Sequence, residues 1–220
     1  MNPRQPYKII LVDDHILLRD ALASLINTFE EFCVIDVAAN GEDLILSIEN
    51  GNIPHLVVLD LNMPGMDGYE TTQWLQENQP DVQILILTMF DSEIALIRLL
   101  QVGVRGFLKK DVHPAELRTA LLIVAENGYY YSNNTTGKLA SFFHKSHTTH
   151  SSIDRAMLTE KEIEFLKLAS TEMTYKEIAQ AMRITPRAID GYRDGLFEKL
   201  DVKSRVGLAI YAVRNGIISF

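Results

Sequence analysis

Short apolar runs and longer amphipathic segments alternate through the first 128 residues. Five runs have the length of a strand and are apolar at nearly every position, at residues 9–12, 34–38, 56–59, 84–87 and 104–108. Such runs are typical of strands buried on both faces, as in a parallel sheet. The segments between them carry apolar residues every three or four positions, for example Ile94, Leu96, Ile97 and Leu100 before Gly103. The alternation predicts a doubly wound α/β domain with a five-stranded parallel sheet, covering residues 1–128.

The pattern changes twice after residue 128. Residues 129–156 are polar and turn-rich, which predicts a linker, with Phe142-Phe143 as a possible anchor for a short helix. Residues 157–220 favour helices throughout. The spacings Thr159–Glu162 and Thr174–Glu177 match capping boxes, and Thr185-Pro186 supplies a third helix start. With a last helix near 204–214, the sequence predicts a small all-α domain of four helices.

Composition places the chain among ordinary soluble proteins, with 47% hydrophobic and 23% charged residues. No apolar run approaches the roughly 18–20 residues of a membrane helix, and the polar N-terminus does not resemble a signal peptide. The single cysteine, Cys33, has no internal disulfide partner and is expected to be a small buried apolar residue. These features predict a cytoplasmic protein without a membrane partner.

The net charge of −8 is unevenly distributed. Residues 1–130 carry 19 acidic and 8 basic side chains, residues 131–150 carry two lysines, and residues 151–220 carry 10 acidic and 11 basic side chains. The first domain is therefore strongly acidic, which argues against a general nucleic-acid-binding surface there. The near-neutral second domain leaves that function open.

Polar residues follow the predicted strands of the first domain at the points where those strands end. Asp13 and Asp14 follow the first strand, Asp60 the third, Thr88 the fourth and Lys110 the fifth. The carboxyl ends of parallel strands meet at one edge of a sheet, where such folds place their binding crevice. Three clustered carboxylates need a cation, and an all-oxygen ligand set suits Mg²⁺. A carboxylate there can attack phosphorus, while a lysine neutralises the transferred group.

Residues 7–127, including the run Asp60-Leu-Asn-Met-Pro-Gly-Met-Asp-Gly68, resemble the receiver domain of two-component response regulators. The resemblance implies that Asp60 accepts a phosphoryl group. It implies that Asp14, Asp60 and the backbone carbonyl of Asn62 bind Mg²⁺ directly, with Asp13 acting through water. It also implies a phosphate-sensing switch at Thr88 and Lys110. Phe107 stands where the family has an aromatic residue that moves with the switch, although a plain core aromatic fits equally well.

The six histidines include four whose role the sequence leaves open. His15 follows the acidic pair, and a helix-start residue is favoured there over a metal or phosphate ligand. His144, His147 and His150 are spaced three apart, but they lack nearby cysteines or carboxylates. A solvated linker is therefore favoured for these three residues over a metal site.

Residues 157–219 are similar to the LuxR-type helix-turn-helix domain, so the whole chain resembles the NarL/FixJ family of response regulators. The third helix departs from that family at Ala188-Ile-Asp-Gly-Tyr-Arg-Asp-Gly195. Asp190 replaces an expected lysine, and Gly191 and Gly195 each cost roughly 1 kcal/mol in a helix interior. Base contacts are thus not transferable, and the candidate DNA-binding residues are Arg187, Tyr192, Arg193, Lys199, Lys203 and Arg205.

The resemblance implies a transcription factor that a sensor histidine kinase phosphorylates at Asp60, and that binds double-stranded promoter DNA as a homodimer. Val206, Ile210, Val213 and Ile217 share one face of the last helix, which serves either the core or a dimer seam. Two rivals remain. One is a phosphatase with an aspartyl intermediate, which the short strand connections disfavour, so no enzyme is expected. The other is a receiver whose helical domain binds protein, which Asp190 and Asp194 motivate.

Overall fold

The computed structural model describes residues 5–89, 99–100, 102–126, 128–131, 158–215 and 217–218. The chain divides into two compact units, the first reaching to about residue 136 and the second covering the C-terminal part. Several sequence predictions lie outside the described residues. These are the helix positions 94, 96 and 97, the Phe142-Phe143 anchor, and His144, His147 and His150.

The first unit is a parallel sheet in which described helices connect most of the successive strands. Its strands are β1 (Tyr7–Val12), β2 (Phe32–Ala38), β3 (Leu56–Leu59), β4 (Gln83–Thr88), β5 (Gly106–Lys109) and β6 (Tyr130–Tyr131). Its described helices are α1 (Ile16–Ile26), α2 (Gly41–Glu49), α3 (Gly68–Asn78) and α4 (Pro114–Ala125). The strand order is β2-β1-β3-β4-β5-β6 and every pair is parallel, which confirms the predicted α/β class.

Burial explains why the central strands read as unbroken apolar runs. All four residues of β3 and all six of β4 are buried, because helices cover both faces of the sheet centre. On one face, Ile26 of α1 and Leu117 and Leu121 of α4 pack against the sheet. The order of the strands then fixes which strand ends are neighbours, and these ends position the site.

The edges of the sheet differ from the sequence prediction. Cys33 is exposed rather than buried, because it lies near the start of the edge strand β2, where only the terminal residues Phe32 and Ala38 are buried. The sixth strand, β6, was not predicted. It has two residues that pair with Gly106 and Phe107, and a strand this short has no detectable period.

Within its described residues, the second unit contains the four predicted helices: α5 (Glu160–Ala169), α6 (Tyr175–Ala181), α7 (Pro186–Lys199) and α8 (Arg205–Arg214). Both predicted capping boxes form, and Thr185 caps α7 through the N–H of Ala188. The core is built from residues on all four helices, including Phe165, Ile178, Leu196 and Leu208.

The apolar stripe of the last helix divides into two parts. Val206 and Ile210 are exposed, Val213 is half-buried and Ile217 is buried. Ile217, which lies three residues after the end of α8, therefore belongs to the core, whereas Val206 and Ile210 on the helix face solvent in this chain. Among the described helices, none is long and apolar enough to cross a bilayer.

Candidate functional site

The ends of three strands bring the predicted acidic residues and the lysine together. Asp13 follows β1, Asp60 follows β3, and Lys110 follows β5. The Lys110 ammonium lies 2.8 Å from Asp13 Oδ2 and 2.7 Å from Asp60 Oδ2. The three side chains are 2–6% exposed, so the strand order alone has assembled a buried ion triad from residues far apart in sequence.

Asp60 is buried in the pocket, where both of its carboxylate oxygens accept hydrogen bonds. Its Oδ1 accepts the N–H of Leu61 at 2.8 Å, and its Oδ2 accepts a hydrogen bond from Lys110 at 2.7 Å. Burial raises the pKa of the Asp60 carboxyl, and the positive charge of Lys110 offsets only part of that rise. A further cation beside Asp60 would favour its ionised, nucleophilic form.

Lys110 is held in its charged form by its two partners. Burial of the ammonium by itself would lower its pKa, but Asp60 and Asp13 outweigh burial and raise the pKa above its ordinary value. The side chain is 4% exposed. Lys110 is thus a fixed positive charge beside Asp60, where an incoming phosphoryl group would need one.

The carboxylates next to Asp60 fit a divalent cation. One ligand atom each from Asp13, Asp14, His15 and Asp60 lie within 4.8 Å of one another. Asp14 Oδ1 is buried; His15 Nδ1 lies 2.9 Å from it without the alignment of a hydrogen bond, and no other described residue donates to it. A buried carboxylate oxygen without a hydrogen bond is costly unless an ion completes its coordination. The hard oxygen donors of this set suit Mg²⁺.

Asn62 lies in the loop that leaves Asp60, and Gly68 begins α3 at the end of that loop. The side-chain Nδ2 of Asn62 is buried and donates no hydrogen bond to any of the residues described. Gly68 lies so close to the Asp60 backbone that an added Cβ would sit 2.4 Å from the Asp60 carbonyl oxygen. Sequence reasoning gave Gly68 no role, because the close approach of the two backbones is visible only in three dimensions.

Thr88 and Phe107 lie on the neighbouring strands β4 and β5. Thr88 is fully buried and Phe107 is 3% exposed. The backbone carbonyl of Thr88 accepts the N–H of Lys110 at 2.9 Å, so the end of β4 is tied directly to the lysine of the pocket. This arrangement places the predicted switch residues in the pocket wall and the adjacent core.

The six candidate DNA-binding residues fall into two groups. Arg187 at the start of α7 and Lys203 after its end are exposed, and neither has an ion pair among the described residues. The other four contact their own domain. Tyr192 is half-buried and its ring stacks on Phe165, with ring centroids 6.2 Å apart.

The remaining three cations bind acceptors within the helical unit. Arg193 Nη1 lies 2.9 Å from Asp190 and its Nε lies 2.8 Å from Asp194. Lys199 Nζ contacts Glu162 at 2.7 Å, and Arg205 donates to the carbonyls of Ala169 and Thr171. The Tyr175 ring also lies under Arg193 and Arg205. None of these partners was predicted. Those of Lys199 and Arg205 are 34 to 37 positions away in the sequence, whereas Asp190 and Asp194 are near neighbours of Arg193 on α7.

Two family profiles together match most of the chain. Residues 9–122 match the response regulator receiver domain, and residues 156–212 match the luxR family of bacterial regulatory proteins. The nitrate/nitrite response regulator protein NarL of Escherichia coli is 33% identical over 99% of this chain and 100% of its own length. The response regulator GacA of Pseudomonas aeruginosa is 30% identical over 96% of this chain and 97% of its length.

Solved structures agree with this assignment. A LuxR-family two-component response regulator from Aurantimonas sp. has a TM-score of 0.59 at 27% identity, covering 62% of this chain and 97% of that chain. RcsB from Salmonella enterica serovar Typhimurium, determined with promoter rprA and the phosphomimetic BeF3−, has a TM-score of 0.70. RcsB is 21% identical over 94% of this chain and 98% of its own, so this likeness concerns the fold. The chain therefore belongs to the response regulators that join a receiver domain to a LuxR-type helix-turn-helix domain.

Proposed function

We propose that this response regulator is a phosphorylation switch in which a sensor histidine kinase transfers a phosphoryl group to Asp60. The observation that carries the proposal is the Lys110 ammonium held 2.7 Å from Asp60 and 2.8 Å from Asp13 in a buried pocket with an unsatisfied Asp14 oxygen. A carboxylate oxygen of Asp60 forms a bond to phosphorus as the bond from phosphorus to the kinase histidine breaks. The product is an acyl phosphate.

The surrounding residues would then stabilise negative charge on the transferred group. Asp14, Asp60 and the backbone carbonyl of Asn62 would hold Mg²⁺ directly, and Asp13 would hold it through water. When bound, Mg²⁺ supplies a positive charge for the phosphoryl oxygens. Lys110 gains a new acceptor in the phosphoryl group, and its present contacts with Asp13 and Asp60 weaken accordingly.

Thr88 and Phe107 would carry the change away from the pocket. The Thr88 hydroxyl is at the end of β4, where it can donate to a phosphoryl oxygen, and Lys110 is bonded to the Thr88 backbone. A shift of Thr88 alters the packing available to Phe107 on the adjacent strand. Phosphorylation would thereby favour a receiver conformation that pairs two chains, which is a shift of an existing population.

The helical domain would bind promoter DNA as part of that homodimer. Arg187 and Lys203 are exposed cations suited to phosphate contacts. Arg193, Lys199 and Arg205 would first have to leave acceptors in their own domain. A single domain with so few available cations should bind weakly, so two half-sites on one dimer would strengthen binding.

A second candidate function is an output domain that binds a protein. The observation that favours it is the neutralisation of Arg193 by Asp190 and Asp194 on the helix expected to meet DNA. A salt titration of binding to duplex DNA separates the two candidates. Salt-dependent binding after phosphorylation supports an output domain that binds DNA. No binding to DNA at low salt supports an output domain that binds a protein.

The phospho-acceptor is tested by Asp60→Asn with a small phosphodonor and Mg²⁺. The variant is expected to take up no phosphate, because an amide oxygen cannot form the acyl phosphate. Asp67→Asn is the matched control, since Asp67 caps α3 and asparagine serves equally well as an N-cap. Undiminished labelling of Asp60→Asn would remove Asp60 from this role. Steady turnover of a phosphomonoester by the wild-type chain would favour an enzyme over a switch.

A further inference from the structure

His15 lies at the start of α1, as the sequence predicted, and its backbone carbonyl accepts the N–H of Arg19, but its side chain does not cap the helix. It is the N-cap residue, yet its side chain accepts no capping hydrogen bond. Its imidazole Nδ1 instead lies 2.9 Å from Asp14 Oδ1 and 3.2 Å from Asp13 Oδ1. The ring therefore contributes a nitrogen to the rim of the acidic pocket, where His15 is 66% exposed and open to solvent.

The distances between these atoms match those of ligands around a single metal ion. Two atoms in neighbouring octahedral positions, each about 2.1 Å from the metal, are about 3.0 Å apart. The two contacts of His15 Nδ1, at 2.9 and 3.2 Å, bracket that separation. One of the two oxygens is the Asp14 Oδ1 atom that is buried without a hydrogen bond.

Imidazole nitrogen changes which ions such a set prefers. Mg²⁺ binds oxygen ligands and keeps several waters, so a nearby imidazole adds little to its affinity. Divalent transition metals bind imidazole well, with affinity rising from Mn²⁺ through Co²⁺ to Ni²⁺ and Cu²⁺. A histidine next to two carboxylates therefore favours transition metals over Mg²⁺.

We propose that His15 is an additional ligand of the receiver pocket, one that divalent transition-metal ions use and Mg²⁺ does not. The inference rests on the proposed function, because it places the nitrogen beside the ion expected at Asp60. In this proposal, His15 makes the pocket prefer divalent transition-metal ions over Mg²⁺. The same contacts also fit an alternative in which the imidazole pairs with Asp13 and Asp14 and thereby competes with every metal.

The experiment is calorimetric titration of the full-length protein with Mg²⁺ and with Ni²⁺ in mildly alkaline buffer, where free imidazole is neutral. His15→Ser removes the ring but keeps a favourable N-cap. His15→Asn places an oxygen near the position of Nδ1. His113→Ser is the matched control, since His113 is an N-cap of α4 that does not belong to the acidic cluster. Ni²⁺ bound by other histidines is measured in Asp14→Asn and subtracted.

His15→Ser is expected to weaken Ni²⁺ binding at the pocket by about tenfold or more, with Mg²⁺ binding changed less than twofold. His15→Asn should likewise weaken Ni²⁺, and His113→Ser should change neither ion. Equal changes for both ions, or none, would overturn the inference. Tighter binding of both ions in His15→Ser would show competition and overturn it as well.

Failure of the underlying proposal has a different signature. If wild-type protein binds no Mg²⁺, or if Asp14→Asn binds Mg²⁺ as well as wild type does, the pocket is not the metal site and both proposals fall. If Mg²⁺ binding depends on Asp14 but Ni²⁺ binding does not depend on His15, only the inference about His15 falls.

Discussion

The receiver pocket and the third helix of the output domain each contain one cation between two aspartates, but in opposite surroundings. Lys110, Asp13 and Asp60 are 2–6% exposed. Arg193 is 29% exposed, and its partners Asp190 and Asp194 are 58% and 66% exposed. The contact distances are nearly the same in both places, between 2.7 and 2.9 Å.

Burial, rather than the pattern of charges, separates the two triads. In the pocket, water is excluded and each charge depends on its partners, so removing one partner leaves a costly uncompensated charge. On the helix, solvent screens each pair, and such pairs contribute about 0–1 kcal/mol. The pocket is therefore suited to bind and react, whereas the helix triad neutralises a cation that would otherwise be available to DNA.

The largest expected effect comes from breaking the buried triad. Lys110→Met should lower the free energy of unfolding of the receiver by about 3 kcal/mol or more without added metal, because Asp13 and Asp60 lose their shared partner. Urea unfolding followed by the fluorescence of Trp74, the single tryptophan, reports on the receiver. When Lys110→Met is introduced into the Asp60→Asn variant, the loss of free energy of unfolding should be smaller, because one of the two negative charges is already gone.

Arg193→Met is the matched change in the exposed triad. It should alter the stability of the output domain by less than about 1 kcal/mol, measured by far-ultraviolet circular dichroism. Equal losses from Lys110→Met and Arg193→Met would contradict the role assigned to burial.

The pair Lys199–Glu162 is intermediate, with side chains 17% and 16% exposed. Lys199→Met should lower the free energy of unfolding of the output domain by about 1–2 kcal/mol at neutral pH, between the values for exposed and buried pairs. Burial alone would raise the pKa of Glu162, but hydrogen bonds from Lys199 and Thr159 lower it below its ordinary value of 4.5. Glu162 thus adds to the free energy of unfolding above pH 4.5, and this stabilisation is lost as the pH falls through the lowered pKa.

The difference in stability between wild type and Lys199→Met should therefore shrink on acidification. Lys161→Met is the control, because Lys161 is exposed on the same helix as Glu162 and has no ion pair among the described residues. A difference that stays constant from neutral to acid pH would exclude Glu162 as the titrating partner.

Releasing Arg193 tests whether its two aspartates limit DNA binding. The double variant Asp190→Asn/Asp194→Asn should bind duplex DNA about tenfold more tightly, equivalent to about 1.4 kcal/mol. The slope of log K against log salt should steepen by about 0.9 if Arg193 gains one phosphate. Asp201→Asn is the control, since it removes one exposed acidic group without touching Arg193. Weaker binding of the double variant would instead indicate that the aspartates contact bases.

Small stabilising effects are expected at the two glycines of the same helix. A Cβ added at Gly191 or Gly195 meets nothing within 4 Å, and both positions are exposed. Gly191→Ala and Gly195→Ala should each stabilise the output domain by about 0.5–1 kcal/mol in chemical denaturation. Gly68→Ala is the contrasting change, because its Cβ would clash with the Asp60 carbonyl and destabilise the receiver. Destabilisation by either helix substitution would mean that α7 relies on its glycines.

The sequence contained most of the information about individual elements. Unbroken apolar runs located β1, β3 and β4, because strands buried on both faces leave no polar positions. The spacing from Thr159 to Glu162 located the start of α5, because a capping box involves neighbouring residues. These features depend on local chemistry, and the structure departs from them where local chemistry is weak, as at the two-residue strand β6 and at exposed Cys33.

Contacts between distant positions needed the tertiary structure. The polar residues at the strand ends predicted a carboxylate pocket, but not that Lys110 bridges Asp13 and Asp60, nor that Gly68 must lack a side chain. On the third helix, the sequence showed several cations but not that Glu162, Asp190 and Asp194 neutralise two of them. Hydrophobic periodicity fixes which face of an element is buried, whereas the partner of a charged side chain depends on how the elements pack, and a linear sequence does not display that arrangement.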